Sequence, residues 1–296
     1  MHLRWDPKLY KEIWNYVGWN SIGTFAFMAN NQGITILLNM FFSTVVNAAR
    51  GIATTVSSQV SGFVMNFQVA AGPQIYKLYA KGEYQQMNRL VCNTAKYSSY
   101  LLILIGLPVF IKTEILIRLW LGNIPEYVIP FIRITLIELF FKAIDFPIGN
   151  GIHAFGKMKL PNITSSIAYI SVLPLTYIFL RLGASPVIAY IIACVSYPLA
   201  MACDLWILNK FSGFDIKFYL LHVPLKSILI ILLSAILPVF VSNSFEDGWL
   251  NLIATSAVCA VVSATFVFYI GLDAEMREKV LRKVKNKMAF VFNKNT

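Results

Sequence analysis

The chain carries little charge for its size. Only 13% of its 296 residues are charged, whereas 57% are hydrophobic. Soluble domains have about 25% charged residues. The composition therefore excludes an ordinary soluble domain and predicts an all-α, polytopic integral membrane protein.

Acidic residues are scarce relative to basic ones. The chain has 14 Asp and Glu against 25 Lys and Arg, a formal net charge of +11. A basic protein of this kind can bind nucleic acid, but here the basic residues occupy short loops between apolar segments. This pattern is typical of topology determinants in a membrane protein, and we expect no nucleic-acid partner.

Cysteine and catalytic motifs are also sparse. The four cysteines show no CxxC or CxxH spacing, which argues against a metal site and a disulfide framework. The sequence has no GxSxG, no HExxH and no phosphate-binding glycine loop. We therefore expect no enzyme activity, no catalytic residues, no metal and no cofactor. The first twelve residues lack the apolar run of a cleaved signal peptide.

Apolar runs predict about eight membrane-spanning helices. The predicted spans cover residues 16–42, 47–74, 87–111, 125–155, 160–182, 186–208, 224–241 and 249–272, with a short interfacial segment at 113–122. Eighteen of the 25 basic residues fall on the side of the N-terminus and three on the opposite side. This asymmetry predicts an even number of spans with both termini cytoplasmic.

The chain divides into four predicted regions. Residues 1–15 form a basic amphipathic lead-in, and residues 16–211 form a six-helix lobe. Residues 212–272 add two transmembrane helices. Residues 273–296 form a basic amphipathic tail, which we expect to lie on an anionic membrane surface.

The second span is unusually polar for a helix of its length. Six of its polar residues fall within about 80° on the helical wheel and extend over about 31 Å, the thickness of the hydrocarbon core. They are Asn47, Arg50, Thr54, Ser57, Ser61 and Gln68. The first span carries a similar stripe that includes Asn31, Thr35 and Asn39. Arginine at mid-bilayer costs about 2.5–3.5 kcal/mol or more, so we expect these residues to line a polar path. Tight packing through small residues such as Ser57 and Ser61 is the alternative.

The fourth predicted span contains a cluster of charges. Glu138, Lys142 and Asp145 follow one another at i, i+4 and i+7 and share one helix face. They fit either a charged part of the path, with a carboxylate that couples transport to an ion, or a self-neutralising cluster that joins this helix to a neighbour. The sequence leaves both interpretations open.

Several motifs resemble those of a known family. They are NNQGI (30–34), LLNMFF (37–42), NAARGIA (47–53), NFQVAAGPQI (66–75) and IPEY (124–127). Together they resemble bacterial polysaccharide-biosynthesis membrane proteins, the O-antigen-type flippases of the MATE-like multidrug/oligosaccharidyl-lipid/polysaccharide exporter superfamily. Members of this family have twelve to fourteen helices in two lobes. The chain is similar to the second lobe with two extra helices, so its start at Met1 is expected to be internal or truncated, or a second chain supplies the first lobe.

The resemblance implies a function and a location. The substrate would be an oligosaccharide linked to undecaprenyl pyrophosphate, moved across the bacterial inner membrane for surface polysaccharide synthesis. A polysaccharide polymerase and glycosyltransferases would be further partners, besides membrane lipid. Within this family reading, Arg50 is the candidate for binding the pyrophosphate, because a guanidinium pairs well with phosphate oxygens.

Two other functions remain open at the level of sequence. One is a cation-coupled efflux antiporter of the same superfamily, which would need an essential intramembrane carboxylate, with Glu138 or Asp145 as candidates. The other is a half-length membrane subunit that transports nothing and only docks partner enzymes or pairs with another lobe.

Overall fold

The structure is a computed structural model that describes residues 6–244 and 248–293. This part of the chain forms helices and no strands. In chain order the helices are α1 (Pro7–Phe41), α2 (Thr44–Ala80), α3 (Tyr84–Ile111), α4 (Thr113–Leu121), α5 (Val128–Ala154), α6 (Lys159–Arg181), α7 (Val187–Ser212), α8 (Ile216–His222), α9 (Pro224–Ser244), α10 (Trp249–Phe266) and α11 (Ala274–Asn293), with a π-helical turn (Val267–Gly271) after α10. The all-α prediction is confirmed for the described residues.

Most helix ends lie close to the predicted ones, but two elements differ. The first span does not begin near residue 16, because α1 continues unbroken from Pro7, and proline is well suited to a first helical position. Helix α8 was not predicted. It begins after Asp215, whose carboxylate accepts a hydrogen bond from the Phe218 amide at 2.9 Å. The predicted lead-in and tail extend to residues 1–5 and 294–296, which lie outside the described residues.

Five segments of the described chain are long and apolar enough to cross a membrane. They are Tyr84–Ile111, Lys159–Arg181, Val187–Ser212, Ile216–Ser242 and Trp249–Gly271. The predicted number of eight is therefore not confirmed. Helices α1, α2 and α5 are not among these segments, because polar stripes make α1 and α2 less apolar and α5 carries four charged residues. The coarser conclusion, a membrane-embedded helical protein, stands.

Helix α5 lies at the centre of the lobe. It packs against α2, α3 and α7, while α6 lies between α1 and α7. Its Phe131 is fully buried and stacks on Tyr190 of α7 with ring centroids 4.1 Å apart. Helices α9 and α10 pack on each other and against α3. Their outward residues are large and apolar, as in Leu232 and Leu250, which is typical of helices that face lipid.

An unpredicted ion pair joins α3 to the segment that follows α10. Lys96 Nζ lies 2.7 Å from Asp273 Oδ2, and the Lys96 side chain is 5% exposed against 60% for Asp273. The Tyr100 hydroxyl donates a hydrogen bond to the Gly271 carbonyl at 3.2 Å in the same region. The two contacts connect the last two spans to the six-helix lobe.

The two partners of this ion pair are expected to differ in their effect on stability. Replacing Asp273 with alanine leaves the Lys96 ammonium buried without its anion, so we expect a loss of about 1–2 kcal/mol, below the value for a fully buried pair because Asp273 is exposed. Lys96→Met removes the buried charge itself and leaves Asp273 in contact with water. We expect it to stay within about 1 kcal/mol of the wild type. Thermal unfolding of the purified variants measures both changes, and a larger loss for Lys96→Met would contradict this account.

The same ion pair predicts a dependence of stability on pH. The hydrogen bond from Lys96 lowers the pKa of Asp273 below its ordinary value of 3.8, with a further contribution from the charge of Lys226. A carboxyl group with a lowered folded pKa stabilises the fold above its unfolded pKa. This contribution is lost as the pH falls below about 4 and through the lowered value. Asp273→Ala should remove this part of the acid sensitivity.

Candidate functional site

Helix α2 presents three different faces. Its apolar face packs on α3 and α5 and consists of the buried residues Val46, Ala49, Ala53, Val56, Val60 and Val64. The opposite face is exposed. Its first half is small or polar, with Gly51, Thr55, Ser58 and, at the edge next to the stripe, Thr54, and its second half carries the apolar Met65 and Val69. The predicted polar stripe lies between these two faces, on the flank next to α1. This position follows from the wheel, because residues of the stripe alternate with those of the buried face.

Arg50 connects this flank to two other helices. Its Nε donates a hydrogen bond to Thr35 Oγ1 at 3.2 Å, and Nη2 donates one to the Asn31 carbonyl at 3.1 Å, both on α1. The guanidinium also lies 5.7 Å from the ring centroid of Tyr190 on α7. Asn47 Nδ2 adds a hydrogen bond to the Thr35 carbonyl at 3.4 Å. The half-buried Arg50 is thus held in place at the junction of α1 and α2.

The remaining hydroxyl groups of the stripe bond to their own helix. Thr54, Ser57 and Ser61 donate to the carbonyls of Arg50, Thr54 and Ser58 at 2.9, 3.0 and 3.1 Å. Thr54 is exposed, and the two serines are partly exposed. A hydroxyl that donates to its own helix still has acceptor lone pairs for an external donor. The stripe therefore offers acceptors to a ligand without leaving a donor unsatisfied.

On α1, the three predicted residues differ in their surroundings. Thr35 is partly buried against Arg50, whereas Asn31 is exposed and donates a long hydrogen bond of 3.4 Å to the Phe27 carbonyl. Asn39 is exposed, and its amide has no hydrogen-bond partner among the described residues. An exposed amide inside the hydrocarbon core needs water or another protein surface, since lipid offers no hydrogen bonds. We call this surface the α1–α2 face. It consists of the polar stripe, the exposed polar residues of α2, and Asn31, Thr35 and Asn39 of α1.

Gln68 was predicted for the polar wall, but the structure places it in the core. Its side chain is 4% exposed, and Nε2 donates a hydrogen bond of 2.7 Å to the Ala143 carbonyl of α5. On the wheel Gln68 has the same angle as Arg50, five turns earlier, but at this level of α2 helix α5 covers that angle. In this conformation Gln68 joins α2 to α5 and does not contribute to the α1–α2 face.

The charges of α5 separate into two groups. Glu138 Oε1 and Lys142 Nζ form an ion pair at 2.5 Å, with side-chain exposures of 12% and 36%. Lys142 Nζ also lies 4.7 Å from the ring centroid of Tyr197 on α7 and 6.0 Å from that of Phe27 on α1. The pair is therefore surrounded by helices α1, α5 and α7, next to the α1–α2 face.

Asp145 belongs to the second group. It forms no ion pair with Lys142, although the two are close in sequence, and interacts instead with Asp204 of α7. Asp204 is only 9% exposed, and neither Asp145 Oδ1 nor Asp204 Oδ1 has a hydrogen-bond partner in the described part of the chain. Two neighbouring carboxyl groups in the interior disfavour simultaneous ionisation. Asp204 was not among the predicted site residues.

Tyr190 and Tyr197 were also missed. Both are buried on α7, and they contact the two cations of the site, Arg50 and Lys142. They are spaced by seven residues, so they share one helix face. This spacing was visible in the sequence, but an aromatic pair on an apolar helix is most often simple core packing.

The arrangement can bind and position polar groups. The described residues contain no cluster of three or more His, Cys, Asp or Glu that could hold a metal ion. The α1–α2 face offers amides, hydroxyl acceptors and a fixed guanidinium, the groups that hydrogen-bond sugars and phosphates.

No family model, curated protein or solved structure matches this chain.

Proposed function

We propose that this chain is one lobe of a two-lobe transporter that moves oligosaccharides linked to undecaprenyl pyrophosphate across the bacterial inner membrane. In this proposal α1, α2 and α5 span the membrane together with the five more apolar segments, which gives eight spans with both termini cytoplasmic. A second lobe, on a longer form of this chain or on a separate chain, covers the α1–α2 face.

The observation that carries the proposal is the exposure of polar groups along α1 and α2. Thr54, Ser58, Asn31 and Asn39 are exposed on helices that are long enough to cross the bilayer. At about 1.5 Å per residue, α1 and α2 each extend for more than about 50 Å. Polar groups on a membrane helix normally face a protein interior or a wet cavity. A sugar chain needs many such partners, and the polyprenyl tail can stay in the surrounding lipid.

Arg50 gives this face its specificity in the proposal. Its guanidinium is oriented by Thr35, Asn31 and Tyr190, so little entropy is lost when an anion binds. The pyrophosphate of the carrier is the anion that fits, because guanidinium groups bind phosphate oxygens in a bidentate manner.

A second candidate, a cation-coupled efflux antiporter, is favoured by one observation. The neighbouring carboxyl groups of Asp145 and Asp204 lack hydrogen-bond partners among the described residues, as a site that exchanges a proton or a cation would require. The α1–α2 face, with its fixed Arg50 cation, argues against a cationic drug as the substrate.

Deletion of the encoding gene distinguishes the two candidates. For a flippase, the deletion strain should lose surface polysaccharide and accumulate the lipid-linked oligosaccharide, which is measured by mass spectrometry of extracted lipids. A plasmid copy should restore both. If surface polysaccharide is normal and sensitivity to cationic dyes rises, the antiporter is the correct assignment.

A further inference from the structure

A cavity lies outside the α1–α2 face, in another part of the molecule. It has a volume of about 720 Å³, and its lining residues come from α3, α5 and α9 and none from α1 or α2. The lining is apolar, with Leu102, Phe140 and Ile231 as typical members. It separates part of the six-helix lobe from α9, and we call it the α3–α9 groove.

The groove is about as long as one leaflet of a bilayer is thick, or somewhat longer. On α3 it extends from Leu102 to Ile111, about 14 Å, and on α9 from Ile228 to Ser242, about 21 Å. Half of the hydrocarbon core measures about 15 Å. The groove can therefore accommodate an acyl chain from the middle of the membrane to its surface.

One end of the groove carries an arginine. Arg133 lines it together with Phe110 and Ser242, which lie near the final turns of α3 and α9, so this is the end nearer the membrane surface. The Arg133 guanidinium lies 5.8 Å from the Phe110 ring centroid. Its Nε is buried without a hydrogen-bond partner, and Arg133 pairs with no carboxylate of the described chain.

An unpaired guanidinium beside an apolar groove is complementary to a ligand with an anionic head and an apolar tail. A charge that is removed from water is costly unless it is paired and hydrogen-bonded, and Arg133 is partly buried. We propose that the α3–α9 groove binds an anionic phospholipid, with one acyl chain along α3 and α9 and its phosphate on Arg133. The lipid fills the space between the lobe and α9, so it is a resident component of the protein. Because the groove has no lining residue on α1 or α2, its occupant is distinct from the transported substrate.

Native mass spectrometry of the purified, delipidated full chain tests this proposal. Phosphatidylglycerol and phosphatidylcholine of equal chain length are added at equal concentration. The wild type should bind phosphatidylglycerol about tenfold more tightly. Both lipids present a phosphate to Arg133, but phosphatidylcholine also brings a choline cation close to the guanidinium, which weakens its pairing. Arg133→Gln should remove this preference and weaken phosphatidylglycerol binding more than phosphatidylcholine binding, while Arg133→Lys should keep part of the preference.

Two further variants separate the groove from the rest of the surface. Ala235→Phe places a ring in the groove and should weaken the binding of both lipids. Arg181→Gln removes an exposed arginine at the end of α6, which bonds Tyr177, and should change neither. Size-exclusion chromatography verifies that each variant is folded, and the Lys and Phe variants provide the test should Arg133→Gln fail to fold.

Three results would overturn the proposal. The first is equal binding of the two phospholipids by the wild type. The second is a phosphatidylglycerol preference that survives Arg133→Gln. The third is displacement of phosphatidylglycerol by a polyprenyl phosphate that binds more tightly and depends on Arg133, because it would assign the groove to the carrier. None of these outcomes depends on a transport assay, so they are separate from the test of the proposed function.

Discussion

Replacing Arg50 with alanine is expected to reduce transport of the lipid-linked oligosaccharide about 100-fold. The substitution removes the guanidinium that Asn31, Thr35 and Tyr190 position, and with it the two hydrogen bonds that we propose it donates to the pyrophosphate. Each charge-assisted hydrogen bond contributes about 1.5 kcal/mol or more, and every 1.4 kcal/mol corresponds to a factor of ten. Surface polysaccharide, measured at equal protein level in the membrane, reports the loss.

Two variants control this experiment, one at Arg50 itself and one outside the α1–α2 face. Arg50→Lys keeps the charge but not the planar fork, so we expect partial activity. Thr265→Ala, on α10, removes an exposed hydroxyl that donates to the Val261 carbonyl of its own helix, and we expect nearly normal activity. Normal polysaccharide in Arg50→Ala cells would show that Arg50 is not part of the path.

The second large effect is expected at Glu138. Glu138→Ala leaves Lys142 without its anion in a region enclosed by α1, α5 and α7. Removing one partner of a buried pair costs about 3–5 kcal/mol. Because Lys142 is about one third exposed, we expect a loss of about 2–4 kcal/mol here, and a low protein level in the membrane. Thermal unfolding and immunoblotting measure the two quantities.

A double substitution of Glu138 and Lys142 distinguishes a structural role of this ion pair from a role on the substrate path. The double variant Glu138→Ala/Lys142→Met carries no unpaired charge, so we expect it to recover most of the stability. Since the structure pairs the two side chains beside Tyr197, we also expect transport to recover with stability. A double variant that is stable but inactive would instead place the pair on the substrate path.

The positions of the helices were more predictable from the sequence than the contacts between them. Long apolar runs bounded by glycine and basic residues predict the positions of α3, α6 and α7 within a few residues. Helix α8 is too short for hydrophobic periodicity to reveal it, and only its Asp215 cap marks the start. The Lys96–Asp273 ion pair joins residues 177 positions apart. No local pattern contains such a contact.

The polar stripe of α2 was also predictable from the sequence, but the helix that it contacts was not. A helical wheel gives the direction of Arg50 relative to Val56 and leaves open which helix it meets. The wheel also groups Gln68 with the stripe, whereas the structure buries it against Ala143 because packing of α2 on α5 covers that edge. Contacts between helices depend on tertiary packing, which the period of one helix does not encode.

The central claim is that the exposed polar face of α2 lines a water-filled path. Cysteine accessibility tests it most directly, in a variant whose four native cysteines, Cys92, Cys194, Cys203 and Cys259, are replaced by alanine. Single cysteines are introduced at Thr54 and Ser58 on this face, and at the exposed, apolar Leu232 of α9 as a control at a similar depth. Membranes are then treated with a charged maleimide, which reacts with thiolates in contact with water.

We expect rapid labelling at Thr54→Cys and Ser58→Cys and slow labelling at Leu232→Cys, because a thiol ionises poorly in lipid. Labelling at the two α2 positions that is as slow as at Leu232→Cys would contradict the account. It would mean that the hydroxyl groups of α2 face lipid, satisfied by the hydrogen bonds that they donate to their own helix.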